Sequence, residues 1–506
     1  MSHIFLYGPS GSGKSTLGSI LARNLHLPFV DSDRVIESNA AMSIPEIVEN
    51  QGEASLRGFE TAALKQIIQD KESVVALGGG ALLRDENRAL IESNGKVIVL
   101  IAQLPTLLER LQRDSHKRPL LAGDLKSKLA AYLEKRAEHY ASFPWKVHVD
   151  GRTPEQIVNQ IQVMLGRYHL SAMGEYDVIV DEVSSLAKLP MHNPIVVTDK
   201  HVARQHKESI LTILGNAGFS PQVITIPAGE AYKNLETIQR LWNGFLEHGL
   251  DRTSTVIALG GGVIGDLTGF AAATYMRGIE WVCVPTTLLS MVDASLGGKT
   301  GFDLPQGKNL IGAFYPPKLV LADPQLLKTL PEAEFISGMA EVVKHGIIAD
   351  PELFALCAQG LDCIQADLGQ VVKRAMAVKI KIIEDDPYEK GFRAALNLGH
   401  TVGHAVELVS TFELRHGESI SIGMVAEAKL AERIGVARNG LSDEIAGVLT
   451  KLGLPVHISD GLPREEILRA MRVDKKKNAA SIRFALPVEI GEVELVDITD
   501  LESVLE

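Results

Sequence analysis

Three histidines and a distant carboxylate carry the densest chemical signal in this chain. His400 and His404 stand four residues apart in the stretch Asn397 to Glu418, so on a helix they share one face. His416 follows in Arg415-His416-Gly417-Glu418, which reads as a turn able to fold an imidazole back toward His400. Upstream, SGMAEVVKHGII places Glu341 and Lys344 on another helical pattern. A carboxylate with two imidazoles supplies three ligands to a divalent cation and leaves a fourth position for substrate, the arrangement of a catalytic rather than a structural zinc site. The spacing leaves open which two histidines bind. Thr401 and Val402 occupy the place where an H-E-x-x-H motif would put its glutamate, so a zincin mechanism is not supported. Ordinary helix-face histidines are the competing reading.

A second cluster lies near the N-terminus. The apolar run Ile4 to Tyr7 leads into Gly8-Pro9-Ser10-Gly11-Ser12-Gly13-Lys14-Ser15-Thr16 and then a helical pattern, which is the strand, loop and helix context of a phosphate-binding P-loop. Gly8, Gly11 and Gly13 let backbone N–H groups close around a phosphate, Lys14 adds positive charge, Ser15 can hold Mg²⁺, and Thr16 completes the motif. In Asp31-Ser32-Asp33, read as extended, alternation turns Asp31 toward the Mg²⁺ shell and Asp33 toward a phosphoryl acceptor. Arg57 and Glu60 share a helix face, and Gly78-Gly79-Gly80 offers bare backbone after a strand at Ser73 to Leu77. No aspartate closes the strand Val97 to Ile101, so metal binding leans on Ser15 and Asp31. Arg110, Arg113, Lys117 and Arg118 suit a lid over phosphates; a solvated charge run is the alternative.

The elements that must position these groups follow from pattern. At 506 residues the chain exceeds one core, and the expected class is α/β: a P-loop kinase with a parallel sheet, a Rossmann-like α/β domain, then a mostly helical metal-binding domain. The boundaries fall at 1–166, a linker at 167–175, 176–323 and 324–506. In the middle domain Asp199 ends the strand Pro194 to Thr198, suited to a ribose hydroxyl, and Thr255 to Leu259 runs into Gly260-Gly261-Gly262-Val263-Ile264-Gly265-Asp266. That turn suits a pyrophosphate, although it is not the G-x-G-x-x-G fingerprint, so NAD does not follow from spacing alone. Asp293, Lys299, Lys308 and Asn309 lie among glycines and polar turns, where lysines imply an anion such as phosphate. After Asp323 helices dominate, with Lys379, Arg393 and Lys475-Lys476-Lys477 adding positive charge.

Bulk properties exclude some classes. A net charge of −12 argues against nucleic acid or an anionic membrane as a general partner. No apolar run reaches the length of a membrane span, and the N-terminal residues lack the pattern of a signal peptide. Three irregularly spaced cysteines fit a reducing cytoplasm.

Residues Met1 to about Gly166 resemble shikimate kinase, on GPSGSGKST, DSD, Arg57 with Glu60, GGG, RPLL and Lys135-Arg136-Ala137. The resemblance implies Mg²⁺ with ATP, shikimate held by Asp33, Arg57, Gly79, Gly80 and Arg136, and Arg118 on the transferring phosphate. From about Tyr176 the chain resembles 3-dehydroquinate synthase, on SMVDASLGGKTG, GKNLIGAF, SGMAEVVKH, NLGHTVGHAVE and HGESISIGM. This implies Zn²⁺ or Co²⁺ on Glu341, His400 and His416, with His404 left to proton transfer and phosphate. It implies NAD on Asp199, Glu230, Lys233, the 260–266 loop with Gly261, Gly262 and Asp266, and Thr286-Thr287, with Lys308 and Asn309 alongside. Substrate, a heptulosonate phosphate, would meet Arg277, Asp293, Lys299, Lys344, Lys379, Arg393, Asn397 and Lys475 or Lys476; Lys299 and Lys344 are the catalytic candidates beside His404. The resemblance further implies a homodimer through the synthase part. A nucleotide-sensing P-loop module fused to another sugar-phosphate cyclase or a polyol dehydrogenase is the alternative.

Overall fold

The computed structural model describes residues 3–113, 124–411, 413–474 and 481–505. The chain forms two compact units, Met1–His169 and Leu170–Glu506. Of the basic residues expected at the sites, Lys117, Arg118 and Lys475 to Lys477 lie outside the described residues.

In the first unit five parallel strands lie in the order Phe29–Asp31, Val74–Ala76, His3–Tyr7, Gly95–Ile101 and Lys146–His148. The strand His3–Tyr7 is buried on both faces, as a central strand between helices must be, and its side chains alternate. Ile4 and Leu6 enter one apolar cluster with Leu17 and Leu21 of the helix Lys14–Asn24; Phe5 and Tyr7 enter another with Leu64, Ile67 and Phe143. Burial on both sides fixes the register that brings the P-loop and Gly78 to neighbouring strand ends.

In the second unit parallel strands run in the order Tyr176–Val180, Leu319–Ala322, Glu280–Pro285, Thr255–Gly260, Ile195–Asp199 and Gln222–Ile226. Two antiparallel hairpins join Lys299–Leu304 to Gly307–Phe314 and Ile482–Glu489 to Glu492–Ile498. Helices fill the remainder, among them Glu332–Ala349, Leu368–Asp385, His400–Val409 and His416–Arg433. Among the described residues no helix is long and apolar enough to cross a membrane.

Four local expectations need correction. The stretch 167–175, read as linker, contains the strand Arg167–Leu170. Asp33 is not in extended backbone: a helix Ser32–Ala40 begins one residue earlier, capped by Asp31, whose carboxylate accepts from the Asp33 N–H at 3.1 Å. His416 is not in a turn but opens the helix His416–Arg433, where the Glu418 carboxylate accepts from the Arg415 N–H at 2.7 Å. Lys299, Lys308 and Asn309 lie on the hairpin rather than in turns.

Two candidate active sites

The metal candidate depends on three helices packed closer than ordinary side chains allow. A Cβ at Gly417 would overlap the Ser337 carbonyl of helix Glu332–Ala349, and one at Gly423 would overlap the Gly399 carbonyl. Bare backbone at these two positions therefore draws His416 toward Glu341 and the two histidine-bearing helices toward each other. The buried Glu427 carboxylate accepts from the Gly399 N–H at 2.6 Å, satisfying a donor at the start of helix His400–Val409.

This packing brings His400 Nε2 to 3.6 Å and His416 Nε2 to 3.7 Å from Glu341 Oε1. Donor atoms of the three residues all lie within 4.8 Å of one another, so they can converge on one divalent ion. His404 is not in that set; its ring centroid lies 5.0 Å from that of His400 and 5.8 Å from that of His416. Burial would raise the Glu341 carboxylate, but Lys344 beside it and the two imidazoles hold it well below the usual range. Burial with Lys344 pushes His400 well below an ordinary histidine, as suits a neutral ligand. Burial would also lower His416, yet hydrogen bonding to Glu341 and Glu407 raises it to about 9. A cation could take the place of that proton between His416 and Glu341. These are donors of the right type for zinc or cobalt, with His416 releasing its proton as the cation binds.

Positive charge rings the cluster. Lys344 donates to the Leu396 carbonyl at 2.8 Å, and Lys379 contacts the Asp293 carboxylate at 2.6 Å. Burial opposes ionisation of Asp293, but Lys379 holds its carboxyl down at about 2. Arg393 is buried, hydrogen-bonded to the Pro387 carbonyl, while Lys299 and Asn397 both reach Glu389, at 3.4 and 3.0 Å. Arg277 stands exposed on the turn Tyr275–Arg277, and among the described residues no hydrogen bond or ion pair joins it to this cluster.

Two residues here escaped the sequence reading. His345 is fully buried, with its imidazole within 4.8 Å of Asp293 and Glu341 donor atoms, and burial drives it down to about 3. Glu407 lies three residues after His404, on the face that carries both histidines, and contacts His416 Nδ1 at 3.3 Å. The spacing His400, His404, Glu407 was the available signal.

The expected cofactor residues gather at the carboxyl ends of adjacent strands. Asp199 and Gly260 end neighbouring parallel strands and Thr286 follows the next, where its N–H donates to the Gly260 carbonyl at 3.0 Å. Gly261 precedes helix Gly262–Thr274, whose N-terminal amides can receive a pyrophosphate. Thr287 packs where a Gly261 Cβ would extend. Asp199 caps helix Lys200–Asn216, accepting from His201 N–H at 2.8 Å. Lys233 is held between Asp266 at 2.7 Å and Asn309 at 2.5 Å, and Glu230 is exposed beside it. Lys308, expected beside NAD, contacts Glu407 at 3.0 Å.

In the first unit Gly8, Gly11 and Gly13 adopt positive φ, and Gly13 leads directly into helix Lys14–Asn24. Lys14 donates to the Gly8 and Pro9 carbonyls at 3.0 Å, spanning the loop. Thr16 is exposed in the first helical turn. Ser15 Oγ donates to Asp31 at 2.7 Å, joining the two groups expected around Mg²⁺. Burial, followed by Asp31, pushes Asp33 up to about 6, near the operating range of a general base. Arg57 grips Glu60 at 2.7 Å and Glu53 at 2.6 Å, and packs against bare Gly80. Arg136 donates to the Gly79 carbonyl at 2.5 Å. Arg110, expected in a lid, contacts the Ser12 carbonyl at 3.3 Å, and Arg113 pairs with Glu109 at 2.8 Å.

Comparison with known proteins follows the same division. The shikimate kinase family matches residues 10–165; the 3-dehydroquinate synthase N-terminal and C-terminal families match residues 223–337 and 338–477. The 3-dehydroquinate synthase of Crocosphaera subtropica is 45% identical over 308 residues, covering 60% of this chain and 84% of that protein. That of Symbiobacterium thermophilum is 46% identical over 304 residues, covering 59% and 85%. Among solved structures, a 2-deoxy-scyllo-inosose synthase complexed with carbaglucose-6-phosphate, NAD+ and Co2+ is 26% identical with a TM-score of 0.60, covering 66% of this chain and 96% of that one. A 2-epi-5-epi-valiolone synthase from Streptomyces hygroscopicus with NAD+ and Zn2+ bound is 28% identical with a TM-score of 0.59, covering 65% and 94%.

Proposed function

We infer two enzymatic activities, because the chain belongs to the 3-dehydroquinate synthase family and carries a shikimate kinase domain ahead of it. The first unit transfers phosphate from ATP to shikimate. The second converts 3-deoxy-D-arabino-heptulosonate 7-phosphate to 3-dehydroquinate and phosphate. The observation that carries the second reading is the convergence of Glu341, His400 and His416. Both reactions belong to aromatic biosynthesis, and the sensor and polyol-dehydrogenase readings are not favoured.

In the synthase, NAD would lie along the strand ends at Asp199, Gly260 to Gly262 and Thr286, and zinc or cobalt would be held by Glu341, His400 and His416. When bound, these groups supply reversible hydride transfer and polarisation of the reacting oxygen. The chain's own residues bind and orient the substrate. Lys379, held by Asp293, and the buried Arg393 supply fixed positive charge for its anionic groups, and Lys344 sits one helical turn from Glu341. His404, beside both ligand imidazoles, is assigned to proton transfer at the departing phosphate. Lys299 and Asn397 share Glu389 and contact substrate hydroxyls on this reading.

In the kinase, Asp33 receives the shikimate hydroxyl proton, Arg57 and Arg136 hold its carboxylate against the Gly79-Gly80 backbone, and Ser15 with Asp31 orders Mg²⁺ with ATP. Arg118 is assigned to the transferring phosphate, and Lys475 or Lys476 to the synthase substrate.

We also assign the second unit to a homodimer in the cytoplasm. Its exposed hairpin strand presents Leu310, Ile311 and Phe314, at 57, 39 and 58% exposure, a surface suited to a second copy, and its cysteines are unpaired. Sedimentation of the parent chain and a Phe314→Glu variant tests the association.

The deciding functional experiment supplies the heptulosonate phosphate with NAD and zinc, then shikimate with ATP and Mg²⁺, to one preparation. Inorganic phosphate with a carbocyclic product, and shikimate phosphate with ADP, are expected. Net NADH accumulation without a carbocycle would overturn the synthase reading.

A further inference from the structure

We propose that Glu407 is a positioning residue for the metal site, acting through His416 to set how tightly the cation is held. The inference rests on the assignment of Glu341, His400 and His416 as ligands and adds a residue outside that set.

The geometry is specific to each ring nitrogen. His416 Nδ1 lies 3.3 Å from Glu407 Oε2, whereas Nε2 of the same ring faces Glu341 Oε1 at 3.7 Å. An ionised carboxylate only accepts hydrogen bonds, so Glu407 requires the N–H on Nδ1. In a neutral imidazole the lone pair then falls on Nε2, aimed at the position a cation shares with Glu341.

His400 solves the same problem differently. Its Nδ1 faces the Leu398 carbonyl at 3.1 Å, again leaving Nε2 toward Glu341. One ligand imidazole is therefore oriented by backbone, which substitution cannot remove, and the other by a side chain, which it can. Glu407 is itself fixed: its side chain is 12% exposed, and its other oxygen contacts Lys308 Nζ on the hairpin at 3.0 Å. A mostly buried carboxylate with both oxygens engaged is a poor candidate for a merely solubilising residue.

The test is zinc affinity of the full chain, measured by chelator competition after metal removal and reloading, with urea unfolding of the metal-free second unit in the same preparations as the folding control. Glu407→Leu is expected to weaken zinc binding by about 10–100-fold, with Glu407→Gln, which keeps an acceptor oxygen, recovering part of the loss. With cobalt in place of zinc, the visible absorption bands of Glu407→Leu should shift as His416 loses its orientation. Zinc binding by Glu407→Leu as tight as that of the parent overturns the proposal. If Glu407→Leu does not fold, Glu407→Gln decides: a loss of about threefold or more supports the proposal and an unchanged constant overturns it. Glu341→Ala separates the two levels. Zinc retained by Glu341→Ala means the ligand assignment has failed, and the role of Glu407 with it; zinc lost by Glu341→Ala but kept by both Glu407 variants removes only the present inference.

Discussion

The two sites solve opposite problems of charge. The kinase site uses backbone: Gly8 to Ser15 are consecutive, Asp31 and Asp33 follow at a nearby strand end of the same sheet, and Lys14 and Arg136 dock on carbonyls of the glycine loops. The synthase site uses buried side chains from separate helices, with Glu341, Lys344, His345 and Arg393 all nearly inaccessible. A locally encoded site tolerates change elsewhere in its unit. A site assembled from distant elements depends on every packing contact that brings them together.

The largest expected effect is a mirror pair. Glu341→Ala should reduce phosphate release from the heptulosonate substrate by more than about a hundredfold while leaving shikimate phosphorylation intact, and Lys14→Ala should do the reverse. Assays of both activities in each variant would break the comparison if either substitution affected both reactions equally.

That asymmetry also governed what the sequence revealed. The P-loop was legible down to individual glycines because its geometry lies within one short stretch. Even there, alternation failed at Asp33, since the Asp31 cap starts a helix where an extended strand was expected. In the synthase the residue types pointed to Glu341 and two imidazoles, but not to which two. His416 was misplaced because Arg-His-Gly-Glu reads as a polar turn, whereas Glu418 reaches back to the Arg415 N–H and starts a helix. His345 and the Lys308 to Glu407 contact were hidden because their partners lie on other elements. Helix packing through Gly417 and Gly423, which sequence spacing does not report, decides those pairings.

A smaller effect sharpens the contrast. Gly417→Ala forces a methyl group into the Ser337 backbone and should destabilise the second unit by about 1–3 kcal/mol, with weakened zinc binding as its neighbour His416 moves. Urea unfolding with a metal titration checks both.

The smallest effect is a difference in pH response. His345 is held at about 3 against an ordinary 6.5, so its contribution to stability is present above pH 6.5 and is lost as pH falls toward 3. That slope is at most about 1.4 kcal/mol per pH unit. Asp33 is raised to about 6 from 3.8, so its contribution is present below pH 3.8 and is lost as pH rises through 6. Between pH 6.5 and 4 the two groups therefore act in opposite directions. Urea unfolding across that range should lose one component in His345→Asn and the opposite one in Asp33→Asn; slopes unchanged by both substitutions would erase the distinction.

The central claim is that helices far apart in sequence deliver one carboxylate and two imidazoles to a single cation. Anomalous diffraction at the zinc edge from crystals of the zinc-loaded chain measures it directly. The account predicts one peak about 2.0–2.2 Å from an oxygen of Glu341 and from Nε2 of both His400 and His416, with His416 Nδ1 still facing Glu407. A peak bound by His404 in place of either imidazole, or none within reach of Glu341, would contradict it.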